Sequence, residues 1–230
     1  MTHSRLTPQR YLDLLRVEGE RLLVTAQDAM DLPVPTCEGW TVDDVVFHVG
    51  GVYAHKLAAL HLGRRPQEGD WTVPSDDATP GDDLVWCHVM LHAIVAELAK
   101  RPAEDAVWTW WEPEQTVAFW QRRMANETAI HRADVESAIG AITPIDPDLA
   151  LDGIDELLFV VVPSAEFDLH PLVEAAGSRA RVSFDDVAVS GDASDVLLWL
   201  WGRLSDDSVV ISGPQDQVAV VRAALSTATQ

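Results

Sequence analysis

The first part of the chain alternates between long amphipathic segments and short polar connectors. Apolar residues recur every three to four positions from about Thr7 to Met30, a spacing that places them on one face of an α-helix. The same periodicity predicts a second helix ending near Leu62, a third over Asp82–Lys100 and a fourth over Glu114–Ile139. Four amphipathic helices of about 20 residues are typical of a four-helix bundle.

Start and stop signals support these helices. Thr7 followed by Pro8 is a favourable N-cap and first helical position. Thr41 with Asp44 three residues later resembles a capping box, with Asp in place of the usual Glu or Gln. Gly63 is suited to end the second helix, because glycine adopts the left-handed conformation of a helix C-terminus at low cost.

The pattern changes near residue 145, where residues 143–147 predict a linker. Beyond it, helices are predicted at Leu151–Val162, Ala193–Leu204 and Gln215–Leu225. Alternating apolar residues predict strands at 181–184, 187–189 and 209–212, the first two joined by a turn at Asp185-Asp186. The sequence therefore predicts an α+β protein with an N-terminal four-helix bundle (residues 1–143) and a small C-terminal α/β domain (residues 150–230).

The charge of the chain excludes two classes of partner. Asp and Glu number 37 against 16 Lys and Arg, so the formal net charge is -21. Nucleic-acid phosphates and anionic membrane surfaces both require a basic footprint, which this chain lacks. The longest apolar stretches, around residues 157–162 and 196–201, are too short to span a bilayer.

The N-terminus and the cysteines bear on the cellular location of the protein. Met1-Thr2-His3-Ser4-Arg5 leads into a polar helical segment with no apolar signal-peptide region, so a cytoplasmic location is expected. The two cysteines, Cys37 and Cys87, form neither a disulfide framework nor a thiolate zinc motif. Two buried thiols are the expected state.

The fourth predicted helix carries ionisable residues beside its apolar face. Glu127 and His131 lie four positions apart, next to the stripe that includes Met124 and Thr128. Such groups are costly to bury unless they pair or bind a metal ion. A hydrogen-bonded Glu–His pair and two ligands of a metal site both agree with this spacing. Asp134 is either a surface charge or the acceptor for the second ring N–H of a metal-bound histidine.

The second predicted helix adds His48, which lies in line with the apolar Val45 and Val52. A core or boundary histidine and a metal ligand are both consistent with that position. His55, two turns later, could line the mouth of a pocket, and His61 is expected to be exposed. A His/Glu/His set suits zinc or another divalent ion, and three protein ligands leave an open position, as catalytic sites do.

The third predicted helix offers a competing pair, His88 and His92, which also has ligand spacing. The apolar face of that helix, which includes Leu91 and Ile94, lies off to the side of the pair. We therefore expect both histidines on the surface.

Three stretches of the sequence carry recognisable motifs. The first is Cys37-Glu-Gly-Trp-Thr-Val-Asp-Asp-Val-Val-Phe-His48, at the start of the second helix. The second runs from Arg122 to Glu136 and includes Glu127, His131 and an Arg-x-Asp-x-Glu continuation; the third runs from Ala193 to Leu204. Together, and in this order over nearly the whole chain, they resemble the signatures of the DinB-like, mycothiol-dependent maleylpyruvate isomerase family.

The resemblance implies a DinB-like bundle in which His48, Glu127 and His131 hold a divalent metal ion, most simply Zn²⁺. It also implies mycothiol, a cysteinyl pseudo-disaccharide thiol of actinobacteria, as thiol cofactor or cosubstrate. A bound zinc ion would lower the pKa of that thiol. Arg203 matches an arginine expected to face the cleft and hold a carboxylate. The implied activity is isomerisation of a small electrophilic substrate or transfer of the thiol to it.

Two other functions remain consistent with the residues. One is a binding protein that holds a metal and a small ligand without turnover, and the other is a hydrolase that uses metal-bound water. In each case the expected partners are small molecules, and a monomer is the expected state.

The C-terminal domain is short for the family, because the stretch between Gly177 and Gly191 has room for only one hairpin.

Overall fold

The computed structural model of the chain describes residues 5–75, 78–165 and 169–229. Its contacts divide the chain into two compact units: Thr7–Thr143, and the residues from Pro144 onward together with those before Thr7. The predicted α+β fold, a four-helix bundle followed by a small α/β region, is confirmed.

Four long helices form the first unit: α1 (Pro8–Ala26), α2 (Val42–Leu62), α3 (Pro80–Lys100) and α4 (Val117–Ala138). Helix α1 packs against α3 and α4, and α2 packs against the same two helices. The inward faces of the helices bury apolar residues, as the 3.6-residue periodicity predicts, and α4 also buries charged residues such as Arg132 and Asp134. The direct packing of α2 on α4 brings the predicted ligand positions of the two helices to one interface.

The predicted N-caps are present. Thr7 accepts a hydrogen bond from the Arg10 N–H, and Pro8 is the first helical residue. At α2, Thr41 and Asp44 form a reciprocal capping box, and Gly63 ends the helix with φ 64°. Helix α3 begins two residues earlier than predicted, because Thr79 caps it in the same reciprocal way.

Helix α1 ends at Ala26, four residues before the predicted Met30. The Ala29 N–H donates to the Ala26 carbonyl, which tightens the chain into a turn. The Met30 carbonyl then accepts from the Asp43 N–H, so this segment pairs with the start of α2 and does not continue the helix.

Helix α4 begins at Val117, three residues after the predicted Glu114. The backbone of Thr116 forms a bridge with Ala106, and the Val107 N–H donates to the Gln115 carbonyl. These hydrogen bonds hold the residues before α4 in a bridged loop.

The second unit contains helices α5 (Pro147–Glu156), α6 (Val162–Ser164), α7 (Ala193–Leu200) and α8 (Gln215–Ala228). A π-helical turn, Leu157–Val161, connects α5 to α6, where the sequence predicts one helix over Leu151–Val162. Strands β1 (Leu172–Ala176), β2 (Arg179–Phe184), β3 (Val187–Asp192) and β4 (Val210–Ser212) form an antiparallel sheet in that order.

Two features of the second unit differ from the sequence prediction. Strand β1 was not predicted, because its residues are largely exposed and show no alternation of buried and polar positions. Helix α7 ends at Leu200 and not at Leu204, because Gly202 adopts φ 74° and the Arg203 N–H turns back to the Leu198 carbonyl.

Candidate metal centre

His48 on α2 and Glu127 and His131 on α4 direct their polar atoms toward one another. Glu127 Oε1 lies 3.5 Å from His48 Nε2 and 3.3 Å from His131 Nε2. One ligand atom from each of the three residues lies within 4.8 Å of the other two. Two donors bound at ~2.0–2.1 Å to a tetrahedral zinc ion are ~3.3–3.4 Å apart. The distances from the carboxylate oxygen to both imidazoles therefore fit one divalent ion.

A buried hydrogen bond holds α2 and α4 in register beside these residues. Thr128, which follows Glu127, donates its hydroxyl proton to the Met124 carbonyl at 2.7 Å. Its oxygen therefore accepts the hydroxyl of Tyr53 on α2, at 2.6 Å. Both side chains are buried, so this bond is protected from water and positions the two helices.

Arg123, one turn before Glu127, fixes the orientation of the Glu127 carboxylate. Its guanidinium Nη2 contacts Glu127 Oε2, while Oε1 is the oxygen near both histidines. One carboxylate oxygen therefore contacts the buried Arg123, and the other faces the space between the two imidazoles. Sequence reasoning missed this contact, although the four-residue spacing on one helix was a signal for it.

Asp134 orients His131 from the opposite side of the ring. His131 Nδ1 lies 3.1 Å from Asp134 Oδ2, and the other carboxylate oxygen, Oδ1, accepts the Thr36 hydroxyl at 2.7 Å. The carboxylate is fully buried and accepts the Nδ1 proton, which leaves the Nε2 lone pair on the side of Glu127. This is the arrangement in which an imidazole can bind a metal through Nε2.

His48 is neutral at physiological pH. Its pKa is lowered to about 4, chiefly by burial and also by the nearby His131 and Lys56. The His48 ring lies 5.3 Å from the Trp40 ring and 4.8 Å from the His131 ring, centre to centre. A neutral imidazole offers a lone pair to a metal ion, so the low pKa favours ligation.

The cluster opens to solvent on the His48 side. The His48 side chain is 38% exposed, whereas those of Glu127 and His131 are 14% and 12% exposed. A cleft of about 520 Å³ adjoins His48. Its walls come from α2 and the segments on either side of it: Trp40, Asp44, Phe47, His48, Gly51, Val52, His55, Lys56 and Trp71. A small molecule in this cleft would reach the candidate ligands from one side.

The other histidines of α2 and α3 lie outside the cluster. His55 lines the cleft, as its spacing from His48 suggested. His61 is exposed and lies 3.4 Å from Glu97 through its Nε2. His88 and His92 are exposed, as predicted, with their Nε2 atoms 3.1 Å apart.

Arg203 and the two cysteines complete the predicted set. Arg203 lies in the second unit, partly exposed, and its Nη1 donates to the Trp201 carbonyl at 2.8 Å. Its carboxylate-binding role stays a prediction. Cys87 is a buried thiol, but Cys37 is only half-buried, because it lies in the turn before α2 and not on a helix face.

The fold and the cluster define a class of protein: a four-helix bundle with two imidazoles and one carboxylate between its second and fourth helices. Comparison with known proteins identifies the family. Residues 6–136 match the model of the mycothiol maleylpyruvate isomerase N-terminal domain, and residues 148–219 match that of the MDMPI C-terminal domain. The chain belongs to the mycothiol-dependent maleylpyruvate isomerase family, a family of enzymes, and the resemblance seen in the sequence is confirmed.

Solved structures share the fold. A crystal structure of the mycothiol-dependent maleylpyruvate isomerase matches with TM-score 0.67 and 16% identity, and a histidine-to-alanine mutant of such an isomerase matches with TM-score 0.68 and 14% identity. Each match covers 91% of this chain and 97% of the other. No curated protein sequence matches significantly. In the described residues, no helix is long and apolar enough to cross a membrane.

Proposed function

We propose that this chain is a metal- and mycothiol-dependent enzyme that isomerises a small electrophilic substrate or transfers the thiol to it. One observation carries the proposal: Glu127 Oε1 and the Nε2 atoms of His48 and His131 converge beside a cleft that is open to small molecules. The related crystal structures are of mycothiol-dependent maleylpyruvate isomerases, so maleylpyruvate is the first substrate to test.

The donor set suits a divalent ion, most simply Zn²⁺, which accepts imidazole nitrogen and carboxylate oxygen. When bound, such an ion would supply a Lewis acid that lowers the pKa of the mycothiol thiol. The surrounding residues prepare the site for it. Arg123 holds Glu127 with one oxygen toward the histidines, and Asp134 holds His131 with Nε2 in the same direction.

The remaining residues orient the reactants. In an isomerisation, the thiolate adds to a conjugated double bond and gives an enolate, rotation follows about the resulting single bond, and the thiolate leaves as the double bond reforms. In an S-transfer, the carbon–sulfur bond is retained and the enolate carbon takes up a proton. Trp40 and Trp71 line the cleft and offer apolar surface that the reactants would contact.

The domains divide this work in the proposal. Residues 1–143 form the metal-binding domain, and residues 150–230 form a second domain in which Arg203 is the candidate for binding a carboxylate through a charge-assisted hydrogen bond. A cytoplasmic location in an actinobacterium, where mycothiol is available, is part of the same proposal.

Turnover assays with the metal-loaded protein test this function. The protein is incubated with maleylpyruvate, or with a panel of other small electrophiles, with and without mycothiol. Thiol-dependent turnover that is lost in Glu127→Ala and retained in the surface variant His88→Ala supports the proposal. Saturable thiol binding without any turnover would identify a binding protein, and equal turnover without thiol would identify a hydrolase; either result contradicts the proposal.

A further inference from the structure

Lys56 is an unusual residue in the wall of the cleft. It is one of only two lysines in the chain, the other being Lys100. Its ammonium nitrogen lies 3.0 Å from His55 Nδ1 and 5.1 Å from the centre of the Trp120 ring, which is fully buried. The cation is therefore held against an aromatic face and an imidazole, next to the space that a ligand would fill.

The ammonium group of Lys56 is not paired with any acidic side chain that the structure describes. In the part of the chain that the structure describes, no carboxylate lies within ion-pair distance of its ammonium group. Asp44, the acidic residue that also lines the cleft, uses its carboxylate to cap α2 at Thr41. This isolation is notable in a chain with 37 acidic residues. Lys100, by contrast, is 71% exposed and lies 3.6 Å from Glu97.

The environment of Lys56 penalises its charge. The pKa of Lys56 is lowered to about 8, chiefly by burial and also by the positive charge of Arg123. Arg123 itself pairs with Glu127, whereas Lys56, the lysine in the described lining of the cleft, has no described carboxylate to balance its charge. A buried charge without a counter-ion is costly, and an anion that enters the cleft would remove that cost.

We infer that Lys56 and His55 form a subsite for the carboxylate group of a small acid bound in the cleft. Lys56 donates one N–H to His55 Nδ1, and its other two N–H groups are available to a carboxylate. His55 accepts through Nδ1, so in its neutral form it carries its proton on Nε2 and has a second donor to offer. The Trp71 ring lies 4.8 Å from the His55 ring and restricts its rotation.

The subsite lies at a useful distance from the candidate metal centre. Lys56 follows His48 by eight residues, which corresponds to ~12 Å along the helix axis. Side chains on a helix lean toward its N-terminus, so the Lys56 side chain extends back toward His48. A carboxylate at Lys56 would place the adjoining carbons of the acid between the two residues. The inferred ligand class is therefore a small carboxylic acid, and its turnover rests on the proposed function.

The two lysines allow a direct test without any substitution. In metal-loaded protein labelled with [¹³C]lysine, each lysine gives its own Cε resonance, and succinate serves as an unreactive carboxylate probe. We expect saturable displacement of the Lys56 resonance, a rise in the Lys56 pKa, and no change at Lys100. A Lys56 resonance that does not move with succinate, or that moves only as much as that of Lys100, overturns the subsite.

Substitution separates the subsite from the chemistry. Lys56→Met keeps the length of the side chain and removes its charge, Lys56→Arg restores a charge, and Lys100→Met is the matched control. We expect Lys56→Met to weaken succinate binding about 10- to 100-fold, Lys56→Arg to recover part of the loss, and Lys100→Met to bind as the wild type does.

Turnover distinguishes failure of the subsite from failure of the proposed function. With mycothiol, Lys56→Met should raise the KM for an unsaturated acid and leave that for its neutral methyl ester unchanged. Turnover of the acid with an unaltered KM would refute the subsite and retain the enzyme. Lys56-dependent succinate binding without turnover of any electrophile would retain the subsite and refute the proposed function.

Discussion

Asp134→Asn is expected to weaken zinc binding about 10- to 100-fold, or about 1.4–2.8 kcal/mol, while the bundle stays folded. Asp134 is fully buried, with Oδ2 3.1 Å from His131 Nδ1 and Oδ1 2.7 Å from the Thr36 hydroxyl oxygen. Asparagine has nearly the same size, and its amide oxygen can replace only one of the two acceptors. The substitution removes the negative charge that makes the imidazole a stronger donor and that fixes its proton on Nδ1.

Competition with a fluorescent zinc chelator measures the affinity, and circular dichroism confirms that helix content is unchanged. Glu18→Gln is the matched control, because Glu18 is also a buried acid of the bundle but its carboxylate pairs with the Arg132 guanidinium and not with a candidate ligand. It should lower the free energy of unfolding and leave zinc affinity unaltered. If Asp134→Asn binds zinc as tightly as the wild type, or if Glu18→Gln weakens zinc binding equally, Asp134 does not act through His131.

Three further predictions concern stability. Burial alone would raise the Glu136 pKa, but hydrogen bonds from Thr143 and a buried arginine hold it below its usual value of 4.5. The ionised carboxylate therefore stabilises the fold above that pH, and the stabilisation is lost as the pH falls. The free energy of urea unfolding should accordingly depend less on acid pH in Glu136→Gln than in the wild type. Gly50→Ala should lower the free energy of urea unfolding by about 1–3 kcal/mol, because the added Cβ would lie 2.5 Å from the Trp86 ring. Gly51→Ala meets open space and should be neutral or stabilising. Equal effects of the two substitutions would contradict the packing of α2 on α3. Chelation should lower the thermal midpoint, because α2 and α4 would lose a shared ion, and an unchanged midpoint in protein shown to lose its metal would contradict this.

The bundle was predictable because its signals are local. Apolar spacing and caps such as Thr41 with Asp44 depend on residues within a few positions of one another, and each fits the same fold. Helix ends were less predictable, because long-range hydrogen bonds decide them. Met30 lies outside α1 because its carbonyl accepts a hydrogen bond from the Asp43 N–H. Strand β1 was not predictable, because an exposed strand shows no alternation of buried and exposed residues.

The candidate site was predictable only in part for a similar reason. Polar residues on apolar helix faces, together with motif resemblance, indicated His48, Glu127 and His131. The contact between Arg123 and Glu127 could have been predicted as well, because the two residues are four positions apart on one helix. The isolation of Lys56 from every described carboxylate was not, because it depends on where the tertiary fold places all the acidic side chains.

The position of a bound metal ion tests the central claim most directly. A crystal of zinc-loaded protein, measured on both sides of the zinc absorption edge, locates the ion by its anomalous scattering. The account predicts one zinc ion per chain, at ~2.0–2.2 Å from His48 Nε2, Glu127 Oε1 and His131 Nε2. Zinc found only at His88 and His92, or absent from the three residues in protein that retains it, would contradict the account.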